Sequence, residues 1–293
     1  MGTIVTIEVA RSERESEIAG CIDRAFEWFG RVESCCSRFD PASELSQLSA
    51  HALTPVPATA MLFEAVQFAL AVADASGGAF DPTVGRAMAS RGFDRHYRTG
   101  ERLAIDPAES RDDAVSYRDV VVDAAQRTIQ FARPLWLDLG AVAKGLAIDM
   151  AVRELQTLRH FAIDAGGDLY LAGHNARGEP WSVGIRHPRQ DRELVEMLRV
   201  SDQAVCTSGD YERQSGAGHH ILDPRHSESA SRVASATVIA SSAMVADALA
   251  TAAFVLGPAD GVAFLEAQGV DGLILTPDLD RHVTRGVNAG RYA

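Results

Sequence analysis

The sequence predicts an α+β fold, with mixed β-sheets and packed helices in a single compact domain over residues 1–293. Three observations carry this expectation. Short strand-like runs and helix-period runs are interleaved without the strict alternation that builds a doubly wound parallel sheet. Several neighbouring strand runs are joined by short polar turns, as in hairpins. No low-complexity linker and no repeat of solenoid period divides the chain, so at most two intertwined lobes are expected.

Residues 1–10 read as a strand, from the alternation in Thr3-Ile4-Val5-Thr6-Ile7-Glu8-Val9. Residues 18–32 carry Ile18, Cys21, Ile22, Ala25, Phe26, Phe29 and Val32 at helical spacing. A loop at 37–43 precedes a short helix beginning at Ser43-Glu44-Leu45. A second strong helix over 58–75 stops at Ser76-Gly77-Gly78, a C-terminal glycine signal. Residues 80–85 read as a Pro- and Gly-bearing loop, and 94–118 as a solvated excursion poor in large apolar groups. Residues 117–122 and 128–131 form a hairpin around Asp123-Ala124-Ala125. Leu135-Trp136-Leu137 reads as a short strand that turns through Gly140 into a helix. Strands are expected at 161–164, 169–171, 181–185, 197–200, 236–240 and around 273–275, with a loop opening over 204–209. Ser241-Ser242 can cap a helix over 243–256 that ends at Gly257-Pro258, and a closing helix covers 258–267.

Composition narrows the function classes. Hydrophobic residues make up 46% and charged residues 23%, ordinary for a soluble globular protein. A formal net charge of −12 argues against nucleic acid, which needs a basic face. It leaves room for one small phosphate site. The four cysteines, Cys21, Cys35, Cys36 and Cys206, make no Cys-x-x-Cys pair, so reduced, partly buried thiols in a reducing compartment are expected. The N-terminus has no basic n-region and no apolar h-region, so a cytoplasmic location is expected for the sequence as it stands. The apolar run over 238–256 is broken by Asp247, which argues against a membrane span.

The most informative stretch is Asp138-Leu139-Gly140-Ala141-Val142-Ala143-Lys144-Gly145. A turn through glycine into a helix exposes backbone N–H groups and the positive end of the helix dipole, and both attract phosphate. Lys144 adds a full charge, and Asp138 can orient a ligand group. The plain alternative is a capped helix with a surface salt bridge. Asp247 and Thr251 are four residues apart on an otherwise apolar helix and share one face. Two hard oxygen donors suit a cation such as Mg²⁺. The alternative is a dipole-stabilised Asp with Thr251 bonded back to a carbonyl. His219-His220-Ile221-Leu222-Asp223-Pro224 offers imidazoles near a carboxylate, as a base site or as two ordinary loop histidines. Asp81, Asp164, Asp168 and Asp223 stand at strand–loop junctions, where an acid is as often a turn residue as a ligand. No Gly-x-Gly-x-x-Gly follows a strand and there is no Walker A motif.

Taken in order, these pieces resemble the ApbE family, the FAD:protein FMN transferases. The resemblance runs over nearly the whole chain. It covers Met1-Gly2-Thr3, Ser37-Arg38-Phe39, Ser43-Glu44-Leu45, the run from Gly78 to Gly85, the lysine segment 138–145, Ala165-Gly166-Gly167-Asp168, Thr207-Ser208-Gly209-Asp210-Tyr211, the His220 segment and Ala246-Asp247-Ala248-Leu249-Ala250-Thr251. The resemblance implies that a divalent cation, Mg²⁺ or Mn²⁺, is held by the Ala141 carbonyl, Asp247 and Thr251. It implies FAD contacts at Met1, Phe39, Ala79, Phe80, Asp81, Asp138, Lys144 and Ile221, with His220 near the reaction centre. The implied reaction moves FMN from FAD to a Ser/Thr hydroxyl of an acceptor flavoprotein, with release of AMP. His220, or a carboxylate such as Asp223, would take the hydroxyl proton, and Asp247 is counted with His220 among the catalytic residues.

Two positions depart from the family pattern. Ser49 lies in the region where many members carry an Asn associated with FAD hydrolysis, which favours transfer over an FAD pyrophosphatase. Phe39 stands where Tyr is frequent and lacks its hydroxyl. A non-catalytic FAD-binding protein is the third reading. Many members are secreted or lipid-anchored, so a periplasmic location would follow had an N-terminal segment been removed.

Overall fold

Helix-period and strand-period segments assemble into a two-sided antiparallel sheet with the longer helices on one face. The computed structural model describes residues 2–11, 15–51, 53–103, 115–190 and 192–293; Met1 lies outside the described residues. The first half contains β1 (Val5–Arg11), α1 (Glu15–Cys36), α2 (Glu44–Ala50), β2 (Val56–Pro57), α3 (Ala60–Ala75), α4 (Gly85–Ser90), β3 (Val120–Asp123), β4 (Thr128–Phe131) and α5 (Gly140–Leu155). Next come β5 (His160–Ala165), β6 (Leu169–Ala172), β7 (Trp181–Arg186), β8 (Leu194–Val200) and β9 (Gln203–Gly209). Four two-residue strands follow: β10 (Gln214–Ser215), β11 (Gly218–His219), β12 (Leu222–Asp223) and β13 (Glu228–Ser229). The chain closes with β14 (Ser235–Ala240), α6 (Ala243–Leu256), α7 (Pro258–Ala267), β15 (Asp271–Leu275), β16 (Arg281–Val283) and α8 (Arg285–Asn288).

The main sheet has seven strands in the order β1-β5-β6-β9-β14-β15-β16, and every neighbouring pair is antiparallel. Side chains alternate between its faces along each strand. Ala204 and Cys206 of β9, Ala236, Val238 and Ala240 of β14, and Ile274 of β15 enter the main core with the helices. Their sequence neighbours Val205, Ile239, Leu273 and Leu275 enter a second core on the opposite face. That second core is closed by the β7–β8 hairpin, through Trp181, Val183, Ile185, Leu198 and Val200, and by Val287 and Tyr292 near the C-terminus. The Trp181 indole N–H donates to the Ala172 carbonyl at 2.9 Å and pins the hairpin to β6.

The helices form where apolar spacing and caps coincide. In α1, Cys21, Ala25, Phe29, Val32 and Cys36 fall on one stripe and are buried. Ser43 caps α2 by accepting from the Ser46 N–H at 3.1 Å. Thr59 caps α3 and is itself held by Glu44, which accepts from its N–H and its hydroxyl at 2.6 Å each. Ser242 caps α6, and Gly257 closes it at φ +89° before Pro258.

Three expectations need correction. Leu135, Leu137 and Leu139 alternate and are buried, as in a strand, but they join no ladder. Instead Asp138 N–H donates to the Pro82 carbonyl and Gly85 N–H to the Trp136 carbonyl, at 2.7 and 3.2 Å. Residues 80–85 accordingly do not stay a loop: Asp81 caps a 3₁₀ turn, Pro82–Val84, that runs into α4. Residues 204–209 are not a loop but β9, bonded between β6 and β14 in the sheet interior. The excursion at 94–118 falls partly outside the described residues, at 104–114; Asp94 and Tyr117 within it are buried.

Candidate active site

The site grows from the crossing of α5 and α6 on the helical face of the sheet. Gly145 makes that crossing possible: a Cβ there would lie 2.4 Å from both the Ala243 carbonyl oxygen and the Met244 Cα. The crossing is locked by Asp149 of α5, which accepts from the Ser242 hydroxyl at 2.6 Å and from the Ala243 and Met244 N–H groups at 2.8 and 3.0 Å. A carboxylate from one helix therefore satisfies the free N–H groups at the start of the other. The consequence is that Lys144 and Asp247, 103 residues apart, face each other, with Nζ 3.4 Å from both carboxylate oxygens. The Gly145 N–H also reaches the Asp247 carboxylate.

A second acid shares the ammonium. Asp168, at the turn between β5 and β6, pairs with Lys144 Nζ and accepts from the Thr207 N–H at 3.3 Å. Its turn rests on Gly166 (φ +70°), where a Cβ would sit 2.0 Å from Thr3 Oγ1, so the segment just before β1 packs directly against it. One helical turn beyond Asp247, Thr251 Oγ1 lies 3.1 Å from Ser208 Oγ. Ser208 shares the parity of Cys206 on β9, which places it on the helical face.

The charges do not balance. One ammonium faces two carboxylates that are 2% and 4% exposed as whole residues, which leaves one negative charge buried. Burial, together with the charge of Asp168, pushes Asp247 up to about 7 against the pull of Lys144. Burial alone would lower Lys144, but Asp168 and Asp247 overcome it and hold it above its ordinary value. Such a site satisfies itself with a proton on Asp247 or with a cation. Among the described residues no three His, Cys, Asp or Glu side chains converge as a metal cluster, so further donors must be hydroxyl or carbonyl oxygens. Asp247 and Thr251, one turn apart on α6, and backbone carbonyls such as that of Ala141 in the first turn of α5, are hard oxygen donors of the type Mg²⁺ or Mn²⁺ takes.

The other half of the site gathers around Asp138. Its carboxylate accepts from the Gly140 N–H at 2.7 Å and from Arg38 Nε at 2.6 Å. Burial would raise this carboxyl, but the Arg38 charge, the Gly140 N–H and the nearby Arg213 outweigh it, so it stays below its ordinary value. The Arg38 guanidinium lies 4.1 Å over the Phe39 ring, and its Nη2 donates to the Phe93 carbonyl at 2.5 Å. The Phe93 ring meets His220 edge-on at 6.3 Å. His219 and His220 differ sharply. His219 Nε2 is 2.8 Å from the Ala230 carbonyl and its ring packs on Phe254. His220 Nδ1 is buried without a hydrogen-bond partner among the described residues. Burial, then the charge of Arg213, pushes His220 down to about 4, so it is a neutral imidazole at pH 7.

The remaining expected residues divide by what their side chains do. Ala79, Phe80 and Ile221 are packed in the main core. The Asp81 carboxylate is occupied by the Thr83 N–H and hydroxyl at 2.8 and 2.7 Å and by the Tyr117 N–H at 2.9 Å. Burial raises it despite these bonds. The Pro82 carbonyl nevertheless joins this segment to Asp138. Asp223, named with His220 as a proton acceptor, does not suit that role. Arg225 binds it at 2.8 and 2.7 Å and His226 at 3.2 Å, and these partners, against burial, hold it at about 2. Asp168 was weighed from the sequence only as a junction acid, and Ser208, Asp149 and Arg38 were not singled out as site residues. Asp168, Ser208 and Arg38 stand inside segments that were, whereas nothing local marks Asp149.

Fold and site together define an α+β protein whose sheet carries, on its helical face, a buried Lys144–Asp168–Asp247 charge cluster, with an Arg38–Asp138 guanidinium–carboxylate pair at the start of α5. The chain belongs to the ApbE family, whose model matches residues 1–274. It is 33% identical over 314 residues to the FAD:protein FMN transferase of Treponema pallidum, covering 98% of this chain and 85% of that one. It is 30% identical over 264 residues to the FAD:protein FMN transferase of Vibrio cholerae, covering 87% and 78%. Among solved structures, the ApbE protein of Thermotoga maritima superposes with a TM-score of 0.85 at 28% identity, over 98% of both chains. The flavin transferase ApbE of Vibrio cholerae gives a TM-score of 0.82 at 28% identity, over 99% of this chain and 96% of that one.

Proposed function

We propose that this chain transfers FMN from FAD to a Ser or Thr hydroxyl of an acceptor protein and releases AMP. The observation that carries the reading is the single ammonium of Lys144 shared by buried Asp168 and Asp247, with Thr251 one turn away. The names of its relatives in the ApbE family support the same reading.

Asp247, Thr251 and the Ala141 carbonyl would hold Mg²⁺ or Mn²⁺, which when bound supplies charge neutralisation for the diphosphate. Lys144 is held protonated by Asp168 and Asp247 and would meet the diphosphate with a full positive charge. Asp138 and Phe39, joined through Arg38, form a rigid platform for the dinucleotide. His220 is neutral at working pH and has a free ring nitrogen, so it can take the proton of the attacking hydroxyl. The hydroxyl oxygen bonds to the FMN-side phosphorus as that phosphorus loses its bond to the bridging oxygen. AMP carries the bridging oxygen away, and the product is a phosphoester on the acceptor.

The test incubates the protein with FAD, Mg²⁺ and an acceptor bearing an Asp-Gly-x-(Ser/Thr)-Gly-Ala-(Ser/Thr) segment. In-gel flavin fluorescence on the acceptor, with stoichiometric AMP, is the expected result. AMP with no labelled acceptor would make the protein a pyrophosphatase. FAD binding without AMP would leave only a flavin carrier.

A further inference from the structure

We propose that Arg38 is a substrate-binding residue whose Nη1 donates a hydrogen bond to an acceptor oxygen of bound FAD. The inference rests on the reading above that FAD is the ligand. The Arg38 side chain is 8% exposed, and two of its three nitrogens are fixed by the protein. Nε donates to Asp138 at 2.6 Å, and Nη2 to the Phe93 carbonyl at 2.5 Å. Nη1 is buried and has no hydrogen-bond partner among the described residues. A buried guanidinium donor left unpaired is costly, and native structures rarely keep one without a use.

The surroundings indicate what fills the gap. The guanidinium face is covered by the Phe39 ring at 4.1 Å, and one edge is engaged by a carboxylate that caps the first N–H of α5. Asp138 already neutralises the charge of Arg38, so long-range attraction of an anion is not its contribution. What it adds is one directional donor, anchored at two points and therefore placed with little loss of side-chain freedom on binding. Phe39, Phe93 and Asp138 come from three separate parts of the chain, and Arg38 is the group that touches all three. Phosphate and flavin carbonyl oxygens are both acceptors such a donor can serve.

The experiment measures FAD affinity by flavin fluorescence quenching, with Mg²⁺ present, in the wild type, Arg38→Lys and Arg38→Gln. Thermal unfolding of each protein without ligand is recorded alongside. Lysine keeps the positive charge beside Asp138 but cannot supply the fork. Arg38→Lys should fold with a melting temperature close to that of the wild type while its Kd for FAD rises by about tenfold or more. AMP and FMN, titrated separately, should show the loss on the fragment that carries the acceptor oxygen. An FAD Kd within twofold of the wild type, or an Arg38→Lys protein that fails to fold, would make Arg38 a purely structural clamp and overturn the proposal. A wild-type protein that binds no FAD would instead overturn the transferase reading itself.

Discussion

Lys144 is the residue on which the site's electrostatics turn. Its ammonium is the cation that two buried acids share, so Lys144→Met should cost about 3 kcal/mol of stability in metal-free protein by leaving them facing each other. Urea unfolding measures this, and added Mg²⁺ should recover part of the loss. His220 contributes one part of the pH dependence. Folded, it takes its proton at about 4 rather than at its ordinary 6.5, because burial and Arg213 disfavour the charged ring. At this residue the unfolded chain therefore binds more protons between those values, and the His220 contribution to stability falls as pH drops through that window, opposite in sign to that of Asp247, whose carboxyl is raised. His220→Gln should remove up to about 2 kcal/mol of the difference in unfolding free energy between pH 7 and pH 5. Denaturant titrations of both proteins at the two pH values check it.

At the scale of elements, the α5–α6 crossing sets the distance between Lys144 and Asp247. Gly145→Ala would place a methyl group 2.4 Å from backbone atoms of Ala243 and Met244, which cannot swing aside as a side-chain tip could. The helices must part, at a cost of about 3 kcal/mol or more. The same movement pulls Asp247 from Lys144 and from the Gly145 N–H. Calorimetry should show a lower melting temperature, and the thermal shift given by Mg²⁺ should shrink with it. The two effects are expected together because one close approach of two helices underlies both. Asp149 binds the crossing from the other side, as a cap supplied by a neighbouring helix rather than by the local sequence.

At the scale of the whole molecule, the sheet separates chemistry from anchorage. The site lies on the helical face, while Asp271 points with Leu273 and Leu275 toward the second core. Buried Asp271 accepts from Thr284 Oγ1 at 2.8 Å, Arg291 Nη1 at 2.5 Å and the Tyr292 hydroxyl at 2.9 Å, fastening the C-terminal segment beneath the sheet. Asp271→Ala strands those donors and should lower stability by about 2–4 kcal/mol. AMP release per folded molecule should stay at the wild-type level. A parallel fall in specific activity at a temperature where the variant is fully folded would contradict this division of the molecule.

Most of the elements were legible in the chain itself. Ser242, the apolar run from Ala243 and the Gly257-Pro258 stop bound α6 residue for residue, because caps and helical period act within a few positions. Leu135 to Leu139 misled for the same reason. Alternation reports burial on one side, and only the partner backbone, here the 3₁₀ turn at Pro82–Val84, decides whether a ladder forms. The acid and lysine of the site were visible as residue types at suggestive spacing. Their pairing was not: Lys144 meets Asp247 across 103 residues and Arg38 meets Asp138 across 100. Sequence alone settled the longer helices, though not α4 or α8, and many of the strands, together with the ordered motifs that mark the ApbE family. Tertiary structure alone decided that Asp168 shares Lys144, that Asp81 is occupied within its own turn and that Arg38 keeps a buried donor unpaired. Local rules follow the chain, whereas burial and charge pairing follow the contacts that topology makes.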